Sequence, residues 1–191
     1  MMAEEFGVPA VPATLHGQTA EAVVAAAGVR RDQHEHAIAR LVEIESRPGQ
    51  RLDALPGVRT FVESLPAGCW GVVTSAPRPV AQARYAATGL TPPAFFVTGD
   101  DVAASKPDPE PFGQGLCELS RRGVGGVVVA VEDTVAGVRS ARRAGCLTVG
   151  VAGTCTADEL WPHAHLVISS FDQLSPHVSG SGLVLALLQA P

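Results

Sequence analysis

Residues 127–137 read VVVAVEDTVAG. An apolar run of strand length drives straight into two adjacent carboxylates, and small residues follow. Two readings of Glu132, Asp133 and Thr134 fit this stretch. In one, a strand hands over to a helix, whose N-terminus favours a hydroxyl or carboxyl cap and acidic neighbours. In the other, two carboxylates at the carboxyl tip of a parallel strand make a hard, oxygen-rich site suited to Mg²⁺. The stretch by itself leaves both open.

Working outward, the chain after Gly57 alternates. Short apolar segments are expected as strands at Trp70–Thr74, Phe95–Thr98, Val127–Val131, Thr148–Val151 and Val167–Ile168. Amphipathic helices are expected between them at Val58–Leu65, Pro79–Thr88, Pro111–Arg122 and Thr134–Ala144. Val-rich strands, apolar on both faces and separated by helices, predict an α/β fold with a parallel sheet covered on both sides. Upstream, residues 17–47 read as helical, with Asp32 expected to cap a helix reaching about Ser46. The segment RPGQRLDALPG (47–57) is a Pro-broken loop, where a soft domain boundary is placed. The tail after Leu174 reads either as an edge strand or as a frayed end.

Composition narrows the function classes. With 46% hydrophobic and 17% charged residues the chain is globular, and a net charge of −5 gives no electrostatic reason for a nucleic-acid partner. Cys69, Cys117, Cys146 and Cys155 show no C-x-x-C spacing, which speaks against zinc and against a disulfide framework. The first residues, MMAEEFGVPAVPA, contain no signal-peptide core, and LVLALL is too short to span a bilayer. A soluble cytoplasmic protein without a membrane partner is expected.

Ligands of open parallel sheets bind beyond the carboxyl ends of the strands. The strand ends offer, in order, the hydroxyls of Thr74-Ser75-Ala76-Pro77, then Lys106 between Ser105 and Pro107, then Glu132-Asp133. Each has a plain alternative: a helix-capping hydroxyl, a solvated lysine, an acidic cap. Asp100, Asp101, Asp108 and Glu110 read as turn and helix-start residues. Together, hydroxyl and lysine suit a phosphoryl group, and the acidic pair suits a divalent cation over it. A receiver domain uses similar groups, but there the acids come first and the lysine last. The order here counts against one.

VVTSAPRP, SKPDPEPF and VEDTVAGVRSARRAG jointly resemble the second, third and fourth motifs of the haloacid dehalogenase-like (HAD) hydrolases, over about His16 to Leu174. Within that superfamily the phrases LHGQTAE, ALPGV, SLPAGCWGVVTSAPR and VTGDDVAASKPDPEPF are similar to sugar- and polyol-phosphate phosphatases of the 2-deoxyglucose-6-phosphatase and glycerol-3-phosphatase type. β-Phosphoglucomutase is a less similar neighbour. The resemblance implies a Rossmann-like parallel-sheet core at residues 51–175, the remnant of a helical cap at 1–50 and a tail at 176–191. It implies a Mg²⁺-dependent phosphatase of a small phosphorylated metabolite. Thr74, Ser75 and Ala76 lie at the phosphate-binding position, with Ser75 favoured, and Lys106 matches the motif lysine. Glu132 and Asp133 match the metal-holding acids, with Asp133 the direct ligand. His16, Gly17 and Gln18 match the cap's substrate loop.

One departure stands out. The resemblance implies an Asp-x-Asp pair at the tip of a first, central strand, supplying the nucleophile and the general acid/base. No Asp-x-Asp occurs among these 191 residues. Either the sequence is a shortened reading frame of an ordinary phosphatase, which the usable chemistry of the remaining residues favours, or it is a non-catalytic phosphate-binding or interaction protein. The first strand is expected to be missing from mid-sheet. The chain is then expected to show no turnover and to be poorly stable.

Overall fold

The computed structural model describes residues 6, 8, 19–47, 49, 52–179 and 182–188. His16, Gly17 and Gln18 lie outside the described residues.

Two helices, α1 (Ala20–Ala26) and α2 (His34–Glu45), precede the alternating part of the chain. Val24, Ala27, Val29 and Ala37 are buried between them, joined by Phe6, Val8 and Ile38, so this pair has an apolar core of its own. Thr19 caps α1 by accepting the Ala22 N–H at 3.3 Å. Asp32 does not cap α2 as expected. It sits in a 3₁₀ turn (Arg31–Gln33), and its carboxylate is taken by Arg30 at 3.1 and 2.6 Å. A guanidinium two residues away offers two charge-assisted bonds, which outcompete a single backbone N–H.

Helix α3 (Val58–Ser64) starts at Gly57, which is left-handed at φ 78°. A Cβ there would lie 2.4 Å from the Asp172 nitrogen, so only glycine admits this approach. The alternating elements follow: β1 (Val72–Val73), α4 (Arg78–Thr88), β2 (Phe96–Val97), α5 (Glu110–Arg121), β3 (Val129–Glu132), α6 (Val135–Arg143), β4 (Leu147–Val151), α7 (Ala157–Leu160) and β5 (Leu166–Ile168). All the helices expected from periodicity after Gly57 are present. The first two strands are only two residues long, and β3 starts late, since Val127 is 75% exposed.

All pairings among these five strands are parallel, as predicted, but they make two sheets instead of one. β1 pairs with β2, and β3–β4–β5 form a second ladder. The break lies between β1 and β3, where the resemblance implies a further strand. Val72 and Thr74 donate to the Phe95 and Val97 carbonyls (3.0 and 2.8 Å), so in a parallel ladder the main-chain groups of Val73 face away from β2. By the same register argument, Val129 and Val131 face away from β4, because Leu147 bonds Val128. Helix α5 lies against both edges. Phe112, Leu116 and Leu119 recur at helical spacing, and Phe112 and Leu116 share one cluster with Val73 of β1 and with Val128 and Ala130. A second cluster of Val149, Val151, Ile168 and Leu174 forms on β4 and β5, with Phe61 and Phe171 stacked edge-on at 5.3 Å.

The described part of the tail is paired strand, neither a lone edge strand nor frayed. Leu174–Ser179 and Gly182–Leu187 pair antiparallel as a hairpin, β6–β7, and Leu174 belongs to the core. Among the described residues no helix is long and apolar enough to cross a membrane, and the four cysteines are free thiols.

Candidate active site

The stretch 132–134 resolves into three separate jobs. Thr134 is the helix cap, accepting the Gly137 N–H at 3.1 Å. Glu132 turns back from the tip of β3 into an ion pair with Lys106, and both side chains are only 9% exposed. Its other oxygen accepts the Asp133 and Thr134 N–H groups at 3.2 and 3.3 Å and the Thr134 hydroxyl at 3.0 Å. Asp133 points elsewhere, accepting the Thr154 hydroxyl at 2.5 Å, and its carbonyl accepts the Cys155 N–H at 3.1 Å.

Lys106 is not a solvated surface lysine. Its ammonium donates to the Val73 carbonyl at 3.2 Å and to Glu132, and lies 5.1 Å from the centre of the Phe112 ring. It therefore bridges the tips of β1 and β3 across the break in the sheet. The loop that aims it is clasped from three sides. Glu110 accepts the Ala103 and Ala104 N–H groups at 3.0 and 2.7 Å, Ser140 donates to the Asp108 carbonyl, and Arg143 donates to the Pro107 carbonyl at 3.1 Å. The Lys106–Pro107 peptide is cis.

At the tip of β1, the Thr74 hydroxyl accepts the Ala76 N–H at 3.2 Å, which closes a local turn and leaves the Thr74 O–H donor uncommitted. The Ser75 hydroxyl makes no hydrogen bond among the described residues, and a Cβ at Gly99 would lie 2.6 Å from the Ser75 carbonyl oxygen. The structure thus joins Lys106, Glu132 and the end of β1 directly, with Ser75 and Asp133 each one or two residues from that junction. Gly137 and Thr154 were not singled out from sequence. Thr154 follows β4, so the rule of looking beyond each strand end could have found it. The approach at Gly137 has no local signal.

Asp101 does lie in a turn, as expected, closing a reciprocal cap with Thr98 over Gly99–Asp101. Arg78 adds an ion pair at 2.6 Å. Burial works against its charge, but the Thr98 hydrogen bonds and Arg78 outweigh it and hold the carboxyl below the usual range. The two backbone N–H bonds do the same for Glu110. A folded-state pKa below the unfolded one means that the unfolded chain takes up protons first as pH falls. These contributions are complete above about pH 5 and are lost progressively below about pH 4. The melting temperature is expected to fall on acidification from pH 6 to pH 3, and to fall less steeply in Asp101→Asn. An identical slope in that variant would remove Asp101 from the account.

Which residues suit a metal follows from the same bonds. Both Glu132 oxygens are committed, whereas the second Asp133 oxygen makes no hydrogen bond among the described residues. Among those residues no group of three or more His, Cys, Asp or Glu is placed to hold an ion. Asp133 fits a single oxygen ligand of a cation that normally takes about six.

Comparison with known proteins bears on this geometry. A family model of haloacid dehalogenase-like hydrolases matches residues 9–145, most of the chain and every residue of the Lys106–Glu132–Asp133 cluster. The chain belongs to the haloacid dehalogenase-like hydrolases. It is 35% identical over 150 residues to hexitol phosphatase A of Escherichia coli (strain K12), covering 76% of this chain and 67% of that protein. It is 33% identical over 131 residues to glycerol-1-phosphate phosphohydrolase 2 of Saccharomyces cerevisiae, covering 62% of this chain and 50% of the relative. The chain thus spans about half the length of the yeast relative and two thirds of the bacterial one. The crystal structure of CbbY from Rhodobacter sphaeroides in complex with phosphate superposes with a TM-score of 0.68 at 21% identity, covering 89% of this chain and 84% of that one. That likeness shows the shared haloacid dehalogenase-like fold.

Proposed function

We propose that these residues form the phosphoryl-binding part of a magnesium-dependent phosphohydrolase of a small sugar or polyol phosphate, working in the cytoplasm. In this reading residues 1–50 belong to a helical cap and the alternating elements to the core it covers. The observation that carries it is the placing of Lys106. An ammonium has three donors. Val73 and Glu132 take two of them, leaving one for a phosphoryl oxygen beside the unengaged Ser75 hydroxyl. Glu132 then orients the lysine, and Lys106 offsets the phosphoryl charge in a nearly water-free position where such an interaction is strong. Asp133, braced by Thr154, is the carboxylate that would hold the cation. When bound there, Mg²⁺ would supply further positive charge against the phosphoryl oxygens.

The two relatives, a hexitol phosphatase and a glycerol-1-phosphate phosphohydrolase, support a polyol or sugar substrate. The net charge of −5 also disfavours a polyanionic macromolecule. The net reaction takes a phosphomonoester and water to an alcohol and inorganic phosphate. The Asp-x-Asp pair that would attack phosphorus and move the proton is not among the 191 residues.

The test compares the 191-residue chain with a version carrying a fused N-terminal apolar strand ending in Asp-x-Asp. The chain as given is expected to release no phosphate. The fused version is expected to release it from hexitol and glycerol phosphates faster than from a phosphopeptide, and to stop with EDTA. Turnover by the unfused chain that Asp133→Asn abolishes would place the nucleophile among the present residues. Phosphate binding with no turnover in either version would favour the non-catalytic reading, and phosphoryl transfer between sugar positions would favour a mutase.

A further inference from the structure

We propose that Arg139, Arg142 and Arg143, with His163, form a second binding site, for a small phosphate-bearing anion. The four residues line a surface cavity of about 220 Å³. The arginines stand at i, i+3 and i+4 on α6, so their side chains share one face of the helix. They occupy its last turn and a half, whereas Glu132 meets the opposite end, where Thr134 caps the helix; only Arg143 reaches the Lys106 loop, through the Pro107 carbonyl.

The pairing of arginines across the molecule sets this group apart. Arg30, Arg40, Arg47, Arg59, Arg78, Arg84, Arg121 and Arg122 each have a carboxylate within ion-pair distance. Among the other described arginines only Arg31 and this trio have none. In a chain with net charge −5, three adjacent guanidiniums left without a carboxylate are unusual. Like charges at this spacing repel. The negative end of the helix dipole offsets part of that for Arg142 and Arg143. Arg139, a turn earlier, gains less.

The unused donors match a tetrahedral oxyanion. Arg142 gives one N–H to the His163 carbonyl and Arg143 one to the Pro107 carbonyl, each at 3.1 Å. These bonds fix the two side chains and leave four of five donors on each. Arg139 makes no hydrogen bond or ion pair among the described residues. Guanidinium forks bind phosphate oxygens in pairs, and the cavity has room for a phosphate with a small organic group.

The site is tested by calorimetric titration of the 191-residue chain with inorganic phosphate and, separately, glycerol phosphate, at low ionic strength. To silence the Lys106 site, the background carries Lys106→Met with Glu132→Gln. Binding is expected to persist in that background and to weaken about tenfold or more on adding Arg139→Gln and Arg142→Gln. Arg121→Gln, an exposed control on α5, should leave it unchanged. Tighter binding of the monoester than of inorganic phosphate would show that the organic group is read as well. Absence of millimolar binding in the background, or equal affinity with and without the arginine substitutions, would overturn the proposal. Either result leaves the proposed function untouched, because that reading stands on the Lys106 site.

Discussion

Replacing Lys106 with alanine is expected to destabilise the folded protein by roughly 3–5 kcal/mol, the usual cost of stripping one partner from a buried ion pair. Glu132 would be left charged at 9% exposure with only the Asp133 and Thr134 donors to satisfy it. Because those three bonds remain, the lower end of the range is expected. For a chain of this size that corresponds to a fall in Tm on the order of 10 °C. Losing both charges together has a different outcome. Lys106→Met with Glu132→Gln keeps the volume and leaves no uncompensated charge, so its Tm should return close to that of the parent. The double variant also separates structure from function. In the strand-supplied enzyme it should remain folded yet lose about 10²–10³ in turnover, the scale of removing one electrostatic stabiliser. Thermal melts of the three proteins decide the first half. A Lys106→Ala protein that melts with the parent would show that water reaches Glu132 freely.

Gly137→Ala should also have a large effect, and opposite to local propensity. Alanine is favoured over glycine inside a helix by about 1 kcal/mol. At Gly137 the added methyl would lie 2.0–2.2 Å from the Glu132 carboxylate group, far inside contact distance. The carboxylate is held by Lys106 and three donors, so it cannot move without breaking them. A net loss of about 1–3 kcal/mol is expected, with Glu132 displaced from Lys106. Gly113→Ala on α5 provides the control. Nothing lies within 4 Å of the added methyl, and the same change there should stabilise by about 0.5–1 kcal/mol. Equilibrium unfolding of the pair gives two numbers of opposite sign if the contact is as described. A stabilised Gly137→Ala protein would contradict it.

Much of this protein is written in short-range pattern. The helices after Gly57 were legible because apolar residues at helical spacing, proline starts and glycine stops act within a few residues of one another. The rule that ligands of parallel sheets bind beyond the strand ends marks Lys106, Glu132 and Asp133 as candidates from connectivity alone. Sequence could also state that no Asp-x-Asp is present, since that requires no geometry.

Tertiary structure decided the rest, because it depends on groups brought together from distant positions. Adjacent in sequence, Glu132 and Asp133 read as one acidic pair. Folding divides them, since Glu132 meets an ammonium 26 residues away and Asp133 meets a hydroxyl 21 residues away. Asp32 had the right local chemistry for a cap, and a guanidinium two residues away took it instead. The hairpin after Leu174 could not be read locally, because an antiparallel ladder is stabilised by its partner strand and its docking on the core. The break between β1 and β3 is of the same kind. Its place was expected from the absent Asp-x-Asp strand, and only the fold shows that Lys106 and helix α5 pack across it.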